Sequence, residues 1–472
     1  VCSSDLMTNL GLAGTFHYDY SGKYLLDYIF RYDGSSKFAP GSQWGFFPAV
    51  AAAWRISEED FFKNAFPKIE QLKLRASYGT VGDDGASSYQ FVSGYNYPTS
   101  GSDRRWFTAG YVFNGSFLAS ADNKGIPNPN VTWFTAKTLD LGFDFVGWNG
   151  LFGLTADYFA RKREGLLARR YGGIPTVVGA GLPQENMESD MTYGFDLQMS
   201  HKNTIGDFGY GLKGILSLVR VKRLFVERGP IGSSWSNWKN NQNDRLQGVS
   251  SLLEGNGQFG SWDDIWNSSY YVNANTLPGD YRYVDWNGDG EINSNDSHPV
   301  NYNQNPWMNF SLSGDARFKG LDFSFLLQGQ SMATLSYGEK MQDPLWGGGY
   351  SGILTQFLDR WRPEDAKADP YNVNTKWISG EFAYTGTRPE YWSTHNTVDA
   401  TYLRLKNVEL GYTIPQNLVK RVGISGLRFY VSGYNLVTFT KVKFIDPEHT
   451  NDLWGYIYPL NKSLSLGLNV RF

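Results

Sequence analysis

The 472-residue chain contains one cysteine, Cys2, so it cannot form a framework of internal disulfide bonds. No stretch approaches the ~18 consecutive apolar residues that a membrane-spanning helix needs. The first residues lack the charged and apolar regions of a secretory signal peptide. The formal net charge is only −3, which does not indicate nucleic acid or an anionic membrane surface as a partner. These absences argue against disulfide-rich, helical membrane and nucleic-acid-binding proteins.

Aromatic residues and glycines are abundant: 16 tryptophans, 30 tyrosines and 31 phenylalanines accompany 53 glycines. Aromatic residues favour β-strands. Tyrosine and tryptophan also suit a boundary between apolar and aqueous surroundings, because one end of each side chain is apolar and the other is polar. The composition therefore indicates an all-β protein, although it fits a soluble lectin or sandwich as well as a membrane protein.

Apolar and polar side chains alternate with a period of two in many segments of the chain. In the first segment the apolar positions are Leu10, Leu12, Phe16, Tyr18 and Tyr20. In the last they are Leu464, Leu466, Leu468, Val470 and Phe472. Because successive side chains of a strand point to opposite faces, each strand has one apolar and one polar face.

Thirteen such strands are predicted, and short turns between them alternate with long connections. The strands are expected at residues 9–20, 23–33, 44–56, 71–80, 136–146, 151–163, 191–201, 206–220, 307–318, 320–331, 400–414, 425–440 and 459–472. Compact soluble domains rarely contain structureless loops as long as 222–306 or 331–399. Transmembrane barrels combine short periplasmic turns with long outer loops. We therefore predict an all-β, antiparallel transmembrane β-barrel whose polar faces line a water-filled lumen.

Several motifs resemble the SusC/RagA family of TonB-dependent outer-membrane transporters. They occur in the family's order and span nearly the whole chain, ending at the C-terminal Phe472. The motifs are Arg31–Phe38 (RYDGSSKF), Trp44–Pro48 (WGFFP), Ala53–Glu59 (AWRISEE), Leu72–Gly79 (LKLRASYG), Asp285–Gly290 (DWNGDG) and Tyr402–Tyr412 (YLRLKNVELGY).

The resemblance implies a barrel of roughly 22 strands around an N-terminal plug. It also implies a SusD-like surface lipoprotein and the TonB complex as partners, outer-membrane lipid around the barrel, and import of glycans or oligopeptides. The predicted strand number is odd, whereas single-chain bacterial barrels have even numbers. We therefore expect residues 7–472 to be the C-terminal part of an incomplete barrel from a Gram-negative bacterium. The string Val1–Leu6 is what a common sequencing adapter encodes, so we expect residues 1–6 to be an artefact and Cys2 to have no function.

One segment of the longest connection has the spacing of an EF-hand calcium loop. Oxygen-bearing residues occupy positions 1, 3, 5, 9 and 12, and Gly290 occupies position 6. The predicted calcium ligands are Asp285, Asn287, Asp289, the backbone carbonyl of Glu291, Asn293 and Asp296. Asp296 stands where glutamate is usual, and its shorter side chain weakens the bidentate contact, as in dockerin-like loops. Ile292 is expected to pack beneath the loop. The alternative is a polar turn that binds no metal.

Two further predictions concern aromatic residues. Trp235, Trp238, Trp262 and Trp266 lie in the longest connection, where they are candidates for contact with a substrate or a partner. Most other rings are expected to form girdles at the membrane boundaries. The terminal Phe472 follows an alternating strand, which is typical of the signal that outer-membrane assembly machinery recognises.

The leading hypothesis is TonB-dependent nutrient import, and no catalytic constellation indicates an enzyme. The polar-face carboxylates are explained by a wet lumen without acid–base chemistry. One alternative is a passive porin or adhesin barrel. Another is a soluble, calcium-stabilised all-β carbohydrate-binding protein or glycosidase, against which the contrast between short and long connections argues.

Overall fold

The computed structural model describes residues 7–96, 110–119, 122–123, 125–172, 175, 177, 179–268, 275–346, 352–384, 393–420, 423–449 and 454–472. The six residues assigned to an adapter lie outside this set. Two compact units are present, one of residues 1–149, 154–195 and 220–247, the other of residues 150–153, 196–219 and 248–472. No helix among the described residues has the length and apolar character needed to cross a membrane.

Long antiparallel strands make up most of the first unit. They are β1 (Asn9–Tyr20), β2 (Tyr24–Ser35), β3 (Trp44–Arg55), β4 (Ile69–Asp83), β5 (Phe134–Gly147), β6 (Phe152–Arg169) and the first half of β7 (Gln184–Ile205). Each is hydrogen-bonded to the strand that follows it in the chain.

The second unit is also an antiparallel meander. Its strands are β8 (Phe208–Phe225), β9 (Met308–Phe318), β10 (Leu321–Ser331), β11 (Tyr402–Thr413), β12 (Gly426–Thr440) and β13 (Ser463–Arg471). Neighbours in this order pair antiparallel. All thirteen predicted strands are thus present. One predicted turn, at 201–206, is shorter than expected, because β7 continues to Ile205.

Short hairpins join alternate strands. Ser21, Gly22 and Lys23 connect β1 to β2, and Lys319 and Gly320 connect β9 to β10. Ser21, Gly22, Lys319 and Gly320 have positive φ angles between 44° and 87°. Turns with two successive positive φ angles match the right-handed twist of the flanking strands, and glycine adopts the second of these positions without steric cost.

The alternating sequence produces two chemically different sheet faces. Leu464, Leu466 and Leu468 on β13 are exposed, and the last two lie opposite Val431 and Phe429 of β12. Ser465 and Asn469 lie opposite Ser432 and Arg428 on the other face. Directly opposed residues of an antiparallel pair share a face. One face is therefore apolar and exposed, and the other is polar.

A β-bulge interrupts the alternation in β11. Below it, Val408, Leu410 and Tyr412 lie on the apolar face with Phe325 and Phe323 of β10. The register with β10 shifts around Lys406, since Leu326 pairs with Asn407 and Leu327 with Leu405. An extra residue in one strand reverses the faces of the residues beyond it. Above the bulge it is therefore Leu403 and Leu405 that lie on the apolar face.

The long connections contain ordered structure of their own. Short helices are α1 (Asp60–Ala65), α2 (Ser234–Lys239), α3 (Trp262–Trp266) and α4 (Gln416–Val419), with 3₁₀ turns at Ile56–Glu58, Ser294–Asp296, Glu339–Met341, Thr355–Leu358 and Thr394–Asn396. Short strands lie at Tyr95–Asn96, Gly110–Phe113, Ser116–Ala119, Asp122–Asn123, Arg245–Gln247, Val249–Leu252, Gly255–Gln258, Tyr281–Tyr283, His298–Tyr302, Thr334–Ser336, Arg362–Pro363, Trp377–Ile378 and Thr397–Asp399. Small apolar clusters support these segments, for example Ala333, Leu335, Ala400 and Val442.

Candidate functional site

The polar face of the first unit holds an ion-pair bridge that spans three strands. Arg75 of β4 donates from Nε to Asp144 of β5 at 2.8 Å, and its Nη2 lies 2.8 Å from Asp157 of β6. The guanidinium passes over Gly142, the residue directly opposite Arg75 on β5. A methyl group at Gly142 would lie 2.6 Å from the guanidinium carbon. Glycine therefore leaves the space that the bridge occupies.

The second unit repeats this arrangement with different strands. Arg428 of β12 donates from Nε to Asp322 of β10 at 2.9 Å, and its Nη2 also donates to Asp322 and to Glu409 of β11. Here the guanidinium lies over Gly411, which pairs with Asp322. The polar face is therefore tied together by fixed charges, in keeping with carboxylates that need no acid–base role.

At the end of β11 that precedes the bulge, a buried arginine holds a connection against the sheet. Arg404 is only 2% exposed. It donates from Nη2 to Asp446 at 2.7 Å and from Nε to Thr438 at 2.8 Å, and its Nη1 lies 3.0 Å from Glu448. Lys406 completes the cluster by donating to Glu448 at 3.0 Å. Two cations and two carboxylates balance, as buried charges require.

The predicted calcium loop is a compact turn closed by its own backbone. The carboxylate of Asp285 accepts N–H bonds from Gly288 and Gly290, both at 2.8 Å. The side-chain oxygen of Asn287 accepts a hydrogen bond from the N–H of Asp289 at 2.9 Å, and its amide nitrogen donates to the carboxylate of Asp289 at 2.8 Å. Gly290 has a φ of 86°, a backbone conformation that residues other than glycine rarely adopt.

The second half of this loop is anchored by a fully buried carboxylate. Asp296 accepts N–H bonds from Trp286 at 3.0 Å and from Asn293 at 2.8 Å, and the Asn293 side chain accepts from Asn295 at 2.8 Å. Ile292 is buried against Leu253 and Tyr283, as expected, and Glu291 is exposed.

Across the described residues, no group of three or more His, Cys, Asp and Glu side chains is arranged to hold a metal ion. The six predicted ligands are brought into one loop, where most of their oxygens meet backbone N–H groups. Calcium binding stays a prediction.

The four loop tryptophans form two separate pairs on short helices. Trp235 and Trp238 of α2 have ring centroids 5.3 Å apart, and Arg245 lies 5.6 Å from the Trp238 ring. Trp262 and Trp266 of α3 are 6.0 Å apart. Spacings of three and four residues place side chains on one helix face. Trp238 and Trp266 are 55% and 63% exposed, so both present ring surface to solvent. Their contact with a substrate or a partner stays a prediction.

A cavity of about 360 Å³ lies beside the calcium-like loop. It is lined by Asn256, Phe259, Asp264, Asn267, Ser268, Tyr281, Arg282, Tyr283, Val284, Asp285 and Ile292. The wall behind Tyr281 and Tyr283 is rigid, because the His395 ring packs against both at 4.9 and 5.4 Å between centroids. His395 Nε2 is 2.9 Å from the carbonyl of Arg282. Burial lowers the pKa of His395 and raises the pKa of Tyr281, so both side chains are neutral at pH 7.

The terminal strand ends as the sequence pattern predicts. Phe472 follows β13 and its side chain is exposed, on the same alternation as Leu468 and Val470. Its carbonyl accepts a bond from Ser425 at 3.2 Å. The ring is therefore free to be recognised, and its role as an assembly signal stays a prediction.

Sequence reasoning did not find the cavity or the Arg404 cluster. Arg282 and Asp264 lie in segments without strict alternation, so no periodic pattern marked them. A signal for Arg404 was present, because Leu403 and Leu405 are out of phase with Val408 and Leu410. That phase change is the mark of a bulge.

Comparisons with known proteins agree with this architecture. No protein-family model matches the chain. It is 29% identical to TonB-dependent receptor P26 of Formosa agariphila over 97% of its own length and 46% of the relative. It is 25% identical to TonB-dependent receptor SusC of Bacteroides thetaiotaomicron over 97% of its length and 43% of that protein. The chain thus spans less than half the length of these curated relatives.

Solved structures show the same fold. The RagAB peptide importer in its open-open state matches with a TM-score of 0.71 at 18% identity, covering 99% of this chain and 47% of that one. A second structure of the RagAB peptide transporter matches with a TM-score of 0.69. Strand order, two-faced strands, the curated relatives and these neighbours identify the chain as part of an outer-membrane β-barrel. More particularly, the resemblance to SusC/RagA-type TonB-dependent receptors that the motifs predicted is confirmed.

Proposed function

We propose that this chain forms part of the wall and the outer loops of an importer that takes up glycans or oligopeptides across the outer membrane. The observation that carries the proposal is the pairing of an exposed apolar face, which suits lipid, with a polar face bridged by Arg75 and Arg428. Such a face lines an aqueous path without catalytic chemistry. We propose accordingly that the protein is not an enzyme.

The partners follow from the same proposal. A SusD-like lipoprotein covers the outer opening, and the TonB complex supplies energy from the inner membrane. Trp238 and Trp266 are suited to contact the lipoprotein or the substrate, because exposed indole rings are frequent anchors in protein interfaces. Outer-membrane lipid surrounds the apolar face, and no nucleic acid is involved.

We also propose that calcium is a structural ion of the Asp285–Asp296 loop. The support is the EF-hand-like order of oxygen ligands, together with a fold that already places Asp285, Asn287 and Asp289 within one turn. The ion would tighten this turn and would take no part in transport itself.

The function is tested by deleting the full-length gene in its host and measuring growth and uptake on purified glycans and oligopeptides. At least one of these nutrients should no longer be taken up, and the intact gene should restore its uptake. Uptake should also stop when the TonB complex is removed or the proton gradient is collapsed. Uptake that is lost on deletion but unaffected by both treatments would show a passive porin instead.

A further inference from the structure

The cavity beside the calcium-like loop is a built concave site. Its inner wall is formed by Tyr281, Tyr283 and Ile292, which belong to a buried cluster with Leu253. A methyl group at Gly255 would lie 2.5 Å from His395 Nε2, so the packing behind this wall has no room for an additional carbon atom. The wall is therefore preorganised, which reduces the entropy that a ligand must lose on binding.

Three polar side chains of the cavity, those of Arg282, Asp264 and Asn267, are each fixed by one hydrogen bond and retain further bonding capacity. Arg282 donates from Nε to the carbonyl of Asn256 at 3.1 Å. Asp264 accepts the N–H of Gly260 at 2.9 Å, and Asn267 donates its amide to the carbonyl of Asp263 at 2.8 Å. A guanidinium has five N–H donors and a carboxylate has about four acceptor sites. Within the described part of the chain, these side chains have no other polar partner.

The charge and shape of the cavity select among ligand classes. The carboxylate of Asp264 balances the guanidinium of Arg282, and both oxygens of Asp285 are held by N–H groups of its own loop, so the cavity has no excess charge that would select an ionic ligand. Planar groups that donate and accept in pairs match the neighbouring hydroxyl groups of a sugar ring, while the partly exposed ring of Tyr281 offers apolar surface to its C–H face. The volume lies at the lower end of the roughly 300–1,000 Å³ range of ligand sites, which suits one or two sugar rings.

We propose that this cavity binds a neutral saccharide unit, with Asp264 and Arg282 as its principal hydrogen-bonding residues. The proposal rests on the proposed import function, because it names glycans as the substrate class. It assigns recognition to an outer loop, so a glycan contacts the protein at Arg282 before it reaches the polar face of the strands. It does not depend on calcium, since the side chains that carry it are held by direct protein hydrogen bonds.

The experiment is equilibrium binding to the purified full-length protein, measured by calorimetry. The probes are hexasaccharides of glucose, mannose, galactose and xylose, and a set of uncharged tetrapeptides. At least one hexasaccharide should bind, and Asp264→Asn and Arg282→Gln should each weaken that binding at least tenfold. The matched control is Asp263→Asn, the same change on the exposed neighbour of Asp264 that does not line the cavity; it should alter binding less than twofold.

Two results would overturn the proposal: no hexasaccharide binds, or one binds equally well to the cavity variants and the control. Binding of tetrapeptides alone, lost in Asp264→Asn, would assign the cavity to peptides instead. Thermal unfolding of each variant verifies that it is folded. Calorimetry needs neither TonB nor a proton gradient, so this test is independent of import. Import without saccharide binding refutes only the cavity proposal, whereas binding without import refutes only the transport function.

Discussion

Arg428 holds the carboxylate of Asp322 with two donors although the two residues lie on strands that are not neighbours. The strand between them, β11, contributes Gly411 at the crossing point and Glu409 as a second acceptor. Arg75, Gly142 and Asp157 form the same arrangement in the first unit. A glycine under an arginine is therefore a recurring means of linking three strands on the polar face.

The first prediction concerns this crossing. Gly411→Ala should destabilise the full-length barrel by about 1 kcal/mol, because the new methyl group displaces the Arg428 guanidinium and breaks a half-buried, two-donor ion pair. The matched control is Gly209→Ala on the polar face of β8, opposite Arg317, where a methyl group meets nothing closer than 3.6 Å. Urea unfolding in detergent micelles measures both. If the two substitutions lower the free energy of unfolding equally, the Arg428 guanidinium is not the reason that residue 411 must be glycine.

The second prediction tests the faces of the terminal strand. Leu466→Lys should cost about 2–4 kcal/mol, the range for a lysine on the lipid face near the middle of the bilayer. Ser465→Lys, one residue earlier and on the polar face, should cost less than about 1 kcal/mol. Folding of the full-length protein into lipid vesicles at several urea concentrations gives both values. If Ser465→Lys is the more damaging variant, the assignment of faces is reversed.

The third prediction concerns calcium. Chelation should increase proteolytic cleavage between residues 222 and 306 and leave the strands protected, because an ion that binds only the folded loop stabilises it by mass action. The double variant Asp285→Ala with Asp289→Ala should behave like the chelated protein and should not respond to chelator. Limited proteolysis followed by mass spectrometry locates the cuts. Cleavage that is unchanged by both chelator and double variant would identify the segment as a polar turn without metal.

The fourth prediction concerns pH. Burial lowers the pKa of His395, so the folded loop binds a proton less readily than the unfolded chain. Neutral His395 therefore stabilises the folded loop. This contribution is complete above the ordinary histidine pKa of about 6.5 and is lost as the pH falls through the lower pKa that His395 has in the folded state. Hydrogen exchange of residues 255–268 and 275–283 should therefore accelerate, relative to the intrinsic rate, as the pH is lowered from 7.5 to 5.5. In His395→Gln this acceleration should be absent. An identical pH response in both proteins would assign the effect to another group.

The strands were predictable because each carries its own signal. A strand such as Leu464–Phe472 alternates strictly, so its existence and its faces can be predicted without knowledge of its neighbours. The ends were less predictable: β7 begins at Gln184, seven residues before the predicted start. Gln184 and Glu185 are successive polar residues, so both faces of the strand are polar there. Such a segment has no alternation of apolar and polar residues from which a strand could be predicted.

The parts of the site that were missed depend on contacts between distant segments. The bridge from Arg428 to Asp322 spans 106 positions in the chain, and only the register of three strands brings the two together. His395 likewise reaches the cavity wall from a connection more than 100 residues away. The calcium-like loop was recognisable because its residues are consecutive, and most of its hydrogen bonds are local for the same reason.

The bulge at Lys406 makes the length of β11 as important as its composition. Without that extra residue, Arg404 would be in phase with Val408, Leu410 and Tyr412, and its guanidinium would face hydrocarbon rather than Asp446 and Glu448. Loss of a single codon here would therefore reverse the faces of the rest of the strand while leaving its amino-acid content almost unchanged. Among natural variants of this protein, substitutions along β11 should be common, and one-residue insertions or deletions between Arg404 and Val408 should be rare.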